Sequence, residues 1–256
     1  MSIEEIISAV RRSERAWCEQ LGMGESLEFG VAYASTAFPN LREANQLRDA
    51  WIADASPSDV YDKVEEYYRE RGLVCRMWTP ASGQAVEPVE ALLLGKGWRR
   101  ADLLAMGLVS RDTDGLMGDA ESIRVLPARA MRRAYRASRL AASGGDETQA
   151  DAGAERLNDS RYDAFVAVIE GEPVGRVGYL EAGEIGRLAD LWVSPGHRGA
   201  GVDRALAAHF LQMARRLLPK YVVACVEASD ADGRAILEQN GFAAAGELPR
   251  FVRNGA

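Results

Sequence analysis

The feature that most constrains the fold of this chain is the run LWVSPGHRGAG at residues 191–201, where an apolar strand breaks at a proline and turns through glycines. Apolar residues at helical spacing follow it, so the pattern predicts strand, loop and helix in that order. Unpaired N–H groups at a helix start point outward, glycine leaves room for phosphate oxygens, and the helix dipole adds about half a positive charge. Arg198 adds a full charge. The segment therefore predicts an anion site, although a glycine loop before a helix can also serve only the turn.

The residues around this loop predict a domain of strands and helices. A strand at 123–126, a helix near 128–142 and a polar, mobile stretch at 143–153 come first. Three strands separated by short turns then predict an antiparallel meander. A long helix after the loop, a strand, a second helix and a closing strand pair from Phe242 complete the domain. The meander strands are expected at 165–169, 174–180 and 186–193, and the later strand and helix at 221–226 and 233–239.

With this meander before it and Gly241-Phe242 after it, the loop segment resembles the GNAT acetyltransferases, whose acetyl-CoA loop reads Gln/Arg-x-x-Gly-x-Gly/Ala. Arg198, Gly201 and Asp203 fall on the three defined positions. The resemblance covers about residues 121–253. It implies an α/β (α+β) fold with a mixed, mostly antiparallel sheet that is splayed at its fourth strand and flanked by helices. On this basis residues 121–256 are assigned to a GNAT acetyltransferase-like domain.

The resemblance also implies which residues hold acetyl-CoA. The pantetheine arm is expected along the backbone of the fourth strand, and the diphosphate on the amides that follow Arg198. Asp230 comes after the next strand, near the place where the family often has an asparagine that contacts CoA; an ordinary helix cap before Gly233 is an equally good interpretation. The strand residues are Leu191, Trp192 and Val193, and the loop residues are Arg198, Gly199, Ala200, Gly201, Val202 and Asp203.

Three positions depart from the family pattern and bear on catalysis. Asp203 replaces the last glycine or alanine of the loop, where its charge competes with a diphosphate for the same amides. Leu237 stands where the family's tyrosine protonates the departing thiolate, and Arg187 stands where some members have a glutamate as general base. Asp190 is the nearest alternative carboxylate, although strand alternation can point it away from the thioester. Aligning an amine with a thioester lowers the barrier even without these groups.

Residues 1–110 resemble the degenerate half of a tandem GNAT protein. Ser2 and Glu5 predict a capping box at the start of a first helix. Between a candidate strand at 45–52 and a helix start at Pro57, only four residues remain, so no phosphate loop is expected there. Residues 98–109 predict a final extended stretch, and residues 111–120, rich in aspartate and glycine, predict a linker. A weak internal repeat, which chance can also produce, joins Ala91-Leu92-Leu93 with Gly97-Trp98 to Ala235-Ile236-Leu237 with Gly241-Phe242.

Charge and cysteine usage restrict the partners and the compartment. The net charge of −7 argues against nucleic acid as the partner, and no apolar run is long enough for a membrane span. Cys18, Cys75 and Cys225 lack metal-ligand or disulfide spacing and a histidine partner, so buried thiols in a reducing, cytoplasmic compartment are expected, with no metal site. The oligomeric state is left open.

Two hypotheses about function follow. The first is an N-acetyltransferase that moves an acetyl group from acetyl-CoA to the primary amine of a small molecule. The second is a catalytically degenerate GNAT-fold module that binds CoA or serves only structure, and the residues at Arg187, Asp203 and Leu237 favour it.

Overall fold

The computed structural model describes residues 2–52, 56–109 and 123–253. In chain order its helices are α1 (Ile3–Glu19), α2 (Pro57–Glu70), α3 (Glu87–Gly95), α4 (Arg132–Ala142), α5 (Glu147–Arg156), α6 (Val202–Leu217) and α7 (Ala231–Gln239). Its strands are β1 (Met23–Leu27), β2 (Gly30–Ala34), β3 (Gln46–Ala50), β4 (Met77–Pro80), β5 (Trp98–Arg100), β6 (Leu103–Leu108), β7 (Arg124–Pro127), β8 (Tyr162–Ile169), β9 (Glu172–Ala182), β10 (Ile185–Val193), β11 (Tyr221–Glu227), β12 (Phe242–Leu248) and β13 (Phe251–Arg253).

The described residues divide into two compact units. The seven-stranded unit takes its residues from the ranges 1–14, 104–226 and 230–246, and the six-stranded unit from 15–103, 227–229 and 247–256. Their sheets have the strand orders β12-β6-β11-β10-β9-β8-β7 and β1-β2-β3-β4-β13-β5. None of the helices in the described part of the chain combines the length and the apolar composition that a membrane crossing requires.

The seven-stranded unit contains the predicted meander. β8, β9 and β10 pair antiparallel, and β7 also pairs antiparallel with β8. After α6 the chain returns as β11, parallel to β10, but this pairing runs only from Ile185–Tyr221 to Arg187–Val223. The mixed, mostly antiparallel sheet, splayed at the fourth strand of this region, is therefore confirmed.

Apolar spacing explains why α6 forms where the sequence predicted it. Val202, Leu206, Phe210 and Met213 lie on one face of the helix and are buried in the seven-stranded unit. Burying a side chain of this size contributes about 1.5–3 kcal/mol. The helix ends at Leu217. The next residue, Leu218, has a left-handed backbone (φ 50°), and Pro219 follows, which cannot continue a helix.

The six-stranded unit repeats the same order of elements. β1, β2 and β3 form an antiparallel meander, and β4 follows α2 and pairs parallel with β3. Its core is a cluster of large apolar side chains around Trp78, whose ring lies 6.1 Å from Tyr61 and 6.4 Å from Trp98, centroid to centroid. The likeness to a second, degenerate GNAT half thus rests on this order of elements.

The assignment of strands to sheets does not follow chain order. The closing strand pair predicted from Phe242 separates, because β12 lies in the seven-stranded sheet and β13 in the six-stranded sheet. The extended stretch at 98–109 divides in the same way into β5 and β6. The predicted linker at 111–120 lies outside the described residues. So do residues 53–55, which belong to the short connection where no phosphate loop is expected.

One local prediction was wrong. The polar stretch at 143–153, expected to be mobile, contains most of α5. Asp146 caps this helix by accepting a hydrogen bond from the Gln149 amide at 3.1 Å, and Glu147 pairs with Arg136 on α4. Its alanine and glycine residues are buried, so close packing of small side chains stabilises a helix with little apolar periodicity.

Candidate active site

A β-bulge near the end of β10 shapes the candidate site. The pairing with β9 shifts register between Ala189 and Trp192. Within the bulge Asp190 has a left-handed backbone, with φ of 55°, which costs a residue other than glycine about 1–2 kcal/mol. Other contacts must therefore hold the bulge in place.

The side chain of Asp190 makes those contacts. It is 4% exposed and forms ion pairs with Arg139 at 2.6 Å and with Arg176 at 2.9 Å, and the Tyr135 hydroxyl donates a hydrogen bond to it at 2.7 Å. Burial alone raises the pKa of this carboxyl, but the two arginines and the hydrogen bonds outweigh burial and hold the pKa well below its ordinary value. Such a carboxylate is a poor proton acceptor, so the geometry argues against Asp190 as general base and for a role in holding the bulge.

The glycine loop leads from β10 to an uncapped helix. Pro195–His197 form a single 3₁₀ turn, in which Ser194 Oγ and His197 Nδ1 lie 2.8 Å apart. Gly199 and Gly201 both have φ of 78°. Among the described residues, apart from the chain neighbours of each glycine, no atom lies within 4 Å of the position a Cβ would take at either. The N-cap residue of α6 is Gly201, which has no side chain that could cap the first amides of the helix. The loop therefore leaves open space beside a helix N-terminus, as an anion site requires.

Two adjoining cavities follow the splay between β10 and β11. The outer groove, about 440 Å³, runs beside the end of β10, the loop and the first turns of α7. The inner cavity, about 150 Å³, lies where the two strands separate, and it is lined mostly by apolar side chains of β10, β11 and α7. Leu191, Asp230, Gly233 and Ile236 line both cavities. Together they offer a path from the helix N-terminus to the interior of the sheet.

Most residues predicted to bind the cofactor line this path. Leu191, Trp192, Val193, Arg198, Gly199, Asp203 and Asp230 line the outer groove. Ala200, Gly201 and Val202 do not line it, and the Val202 side chain is buried under the sheet. Asp230 also caps α7 by accepting a hydrogen bond from the Gly233 amide at 2.9 Å, so the helix-cap interpretation is confirmed.

The outer groove carries more negative than positive side chains. Asp203, Asp230 and Asp232 line it, against one arginine, Arg198. Arg198 and Asp232 form an exposed ion pair at 3.3 Å. A diphosphate in this groove would compete with Asp232 for Arg198, because both are anions, and would face the charge of Asp203.

A buried ion pair occupies the position of the family's glutamate. The Arg187 side chain lies 2.5 Å from the Glu14 carboxylate on α1, and it donates hydrogen bonds to the Ser13 carbonyl at 3.2 Å and to Cys225 Sγ at 3.1 Å. The Cys225 thiol in turn lies 3.4 Å from Glu14 Oε1. Sequence reasoning missed Glu14, although its place four residues after Val10 and three before Trp17 puts an acid on the apolar face of a helix.

One of the three cysteines lines the inner cavity. Cys18 and Cys75 are buried as expected, but Cys225 is only half-buried and lines this cavity, so the expectation of three buried thiols was wrong for Cys225. Burial raises the pKa of the Cys75 thiol to about 12. Leu237 lines the same cavity and supplies no acid. Nowhere in the described ranges do three or more potential ligand side chains meet as a metal site.

Comparison with known proteins agrees with this geometry. Residues 128–242 match the model of the acetyltransferase (GNAT) family, whereas no curated protein matches the chain. The fold is similar to a functionally unknown conserved protein from Staphylococcus epidermidis (TM-score 0.69, 13% identity, 92% of this chain and 95% of that one). It is also similar to a GCN5-related N-acetyltransferase from Kribbella flavida (0.63, 14%, 98% and 96%) and to a tandem GNAT protein from the clavulanic acid biosynthesis pathway (0.54, 16%, 76% and 68%). Residues 128–242 of the chain thus form a domain that matches the acetyltransferase (GNAT) family model.

Proposed function

We propose that the seven-stranded unit transfers an acetyl group from acetyl-CoA to the primary amine of a small molecule. The observation that carries the proposal is the continuous path between β10 and β11, which joins an open helix N-terminus to an apolar cavity. A polar anion site at one end and a narrow apolar space at the other suit a long donor with a diphosphate and an acyl thioester.

The residues present fit such a donor. The space beside Gly199 and Gly201 and the uncapped start of α6 suit the diphosphate. The last residues of β10, free of a parallel partner, offer backbone groups to a pantetheine arm. When bound, acetyl-CoA supplies an activated thioester. The chain aligns that thioester, and alignment alone can provide a large part of the rate.

The alternative is a GNAT-fold module that binds CoA without turning it over. The acidic groove around Asp203 favours it, as does the absence of an acid at Leu237. Arg187 favours it too, because an arginine stands where some members of the family have a glutamate as general base, and its side chain is buried in an ion pair.

Binding and turnover experiments separate these functions. Titration calorimetry should detect acetyl-CoA binding, and Arg198→Ala should weaken it by about five- to tenfold, since one charge near a phosphate is worth roughly 1 kcal/mol in water. Arg216→Ala removes the same charge at the far, exposed end of α6 and serves as the matched control. Release of free CoA thiol in the presence of primary amines would support the transferase. Binding without release would support the CoA-binding module. No binding would contradict both the transferase and the CoA-binding module and would favour a purely structural role.

A further inference from the structure

We infer that Cys225 is an acyl acceptor, so that the domain acylates its own thiol from acyl-CoA before the group moves on. The inference rests on the proposed binding of acyl-CoA in the path between β10 and β11. It adds a covalent step on the chain that the family match does not assign.

Three side chains form the arrangement that such a step requires. Cys225 Sγ lies 3.4 Å from Glu14 Oε1 and 3.1 Å from Arg187 Nη2, and Glu14 and Arg187 are 2.5 Å apart. The thiol thus has a carboxylate to take its proton and a guanidinium to stabilise the thiolate. A nucleophile within reach of a base that a third group orients is the general signature of covalent catalysis.

The position of the thiol agrees with this chemistry. Cys225 lines the inner cavity together with Leu191, which also lines the outer groove. A donor that enters along the groove therefore brings its thioester end toward Cys225. The other two thiols are fully buried in the six-stranded unit and line neither cavity.

The step balances without a further reactant. Glu14 takes the proton of Cys225, and the thiolate attacks the thioester carbonyl carbon. A new carbon–sulfur bond to Cys225 forms as the bond to the CoA sulfur breaks. The departing CoA thiolate takes the proton from Glu14 and leaves as the thiol. The proton that leaves the Cys225 sulfur is therefore the one that reaches the CoA sulfur. No tyrosine at the position of Leu237 is needed to protonate the departing thiolate.

The experiment is to incubate the full chain with acetyl-CoA in the absence of an amine, quench with acid and locate the label by mass spectrometry of intact protein and peptides. We expect one acetyl group on the peptide that contains Cys225, released by neutral hydroxylamine as a thioester is. Cys18 and Cys75 in the same molecule are internal controls and should stay unmodified.

Two variants sharpen the test. Cys225→Ser should abolish the label, and Glu14→Gln, which keeps the shape of the side chain, should slow labelling about a hundredfold, as loss of a general base does. Calorimetry with acetyl-CoA on each variant shows that the groove is intact. If acetyl-CoA binds but Cys225 stays unlabelled, and Cys225→Ser transfers acetyl groups to amines at the rate of the unmodified chain, the inference is overturned while the proposed function stands. Absence of acetyl-CoA binding in the unmodified chain overturns both.

Discussion

The two sheets contain the same parallel strand pair in two states, one closed and one open. β3 stays paired with β4 from Gln46–Met77 to Ala50–Pro80, across an irregularity between Arg48 and Ala50. β10 loses β11 after Arg187, before its own bulge begins. In both units, the first strand of the pair ends a meander, and a helix connects it to the second strand.

Both irregularities hold an aspartate in the left-handed region, Asp49 with φ of 51° and Asp190 with φ of 55°. A left-handed aspartate at a register shift is therefore common to both units, although the shift is against β4 in one unit and against β9 in the other. Such an aspartate does not by itself create a groove. In the closed pair, β4 continues beside β3, and Trp78 of β4 is fully buried in the core. In the open pair, Cys225 and Val226 of β11 face a cavity instead. The comparison teaches that the departure of the neighbouring strand, rather than the bulge, makes room for a ligand.

The largest expected difference concerns the two aspartates. Asp190→Asn should lower the free energy of unfolding by about 3–5 kcal/mol, because it leaves Arg139 and Arg176 buried without their counter-charge. Asp49→Asn should cost less than about 1 kcal/mol, since the Asp49 ion pair with Arg15 at 2.8 Å is largely exposed on the arginine side. Asparagine tolerates a left-handed backbone, so neither change adds strain. Urea unfolding measures both, and equal losses would contradict the buried role of Asp190.

The next difference concerns two leucines at corresponding places in α3 and α7. Leu93 is fully buried in the core of the six-stranded unit, whereas Leu237 borders the inner cavity. Leu93→Ala should cost about 3 kcal/mol and Leu237→Ala about 2 kcal/mol, because the second side chain has fewer packing partners to lose. The same urea titration measures them. A larger loss at Leu237 would mean that the inner cavity is closed in solution.

The third difference concerns the negative charge in the first turn of α6 and of α2, the helices that connect the two parallel strands in each unit. Asp203→Asn should tighten acetyl-CoA binding by about tenfold, equivalent to about 1.4 kcal/mol, because it removes a like charge from the groove and keeps the side-chain shape. Asp59→Asn makes the same change in the first turn of α2 and should leave the affinity unchanged. Calorimetry at low and high salt checks the prediction. Equal affinities for all three proteins would mean that Asp203 points away from the ligand.

The smallest expected effect is the pH dependence of the Asp190 contribution. The pKa of Asp190 is lower in the folded chain than the value of about 3.9 expected when unfolded. Its stabilisation is therefore complete above the unfolded value and is lost as the pH falls toward the folded one. At pH 3 the stability gap between the unmodified chain and Asp190→Asn should be about 1 kcal/mol smaller than at pH 7. A gap that widens on acidification would contradict the direction of the pKa shift.

Local signals in the sequence predicted most of the seven-stranded unit. The capping box is present, with the Glu5 amide donating to Ser2 Oγ at 3.2 Å and the Ser2 amide to the Glu5 carboxylate at 2.8 Å. The meander, the glycine loop and α6 were also predicted, as were most residues that line the outer groove. Each of these features depends on neighbours within one turn or one hairpin, so the pattern of a short stretch is enough to specify it.

The tertiary structure alone decided what depends on residues far apart in the chain. It placed β6 in a different sheet from β5 and β13 in a different sheet from β12. It also kept β3 paired with β4 and separated β10 from β11. It also turned Asp190 from a candidate base into a buried ion-pair partner and brought Glu14 to Arg187 and Cys225, across more than 170 residues. Strand periodicity shows that a segment is extended but not which strand will accept its hydrogen bonds, and a charged residue carries no local mark of the partner that will bury it.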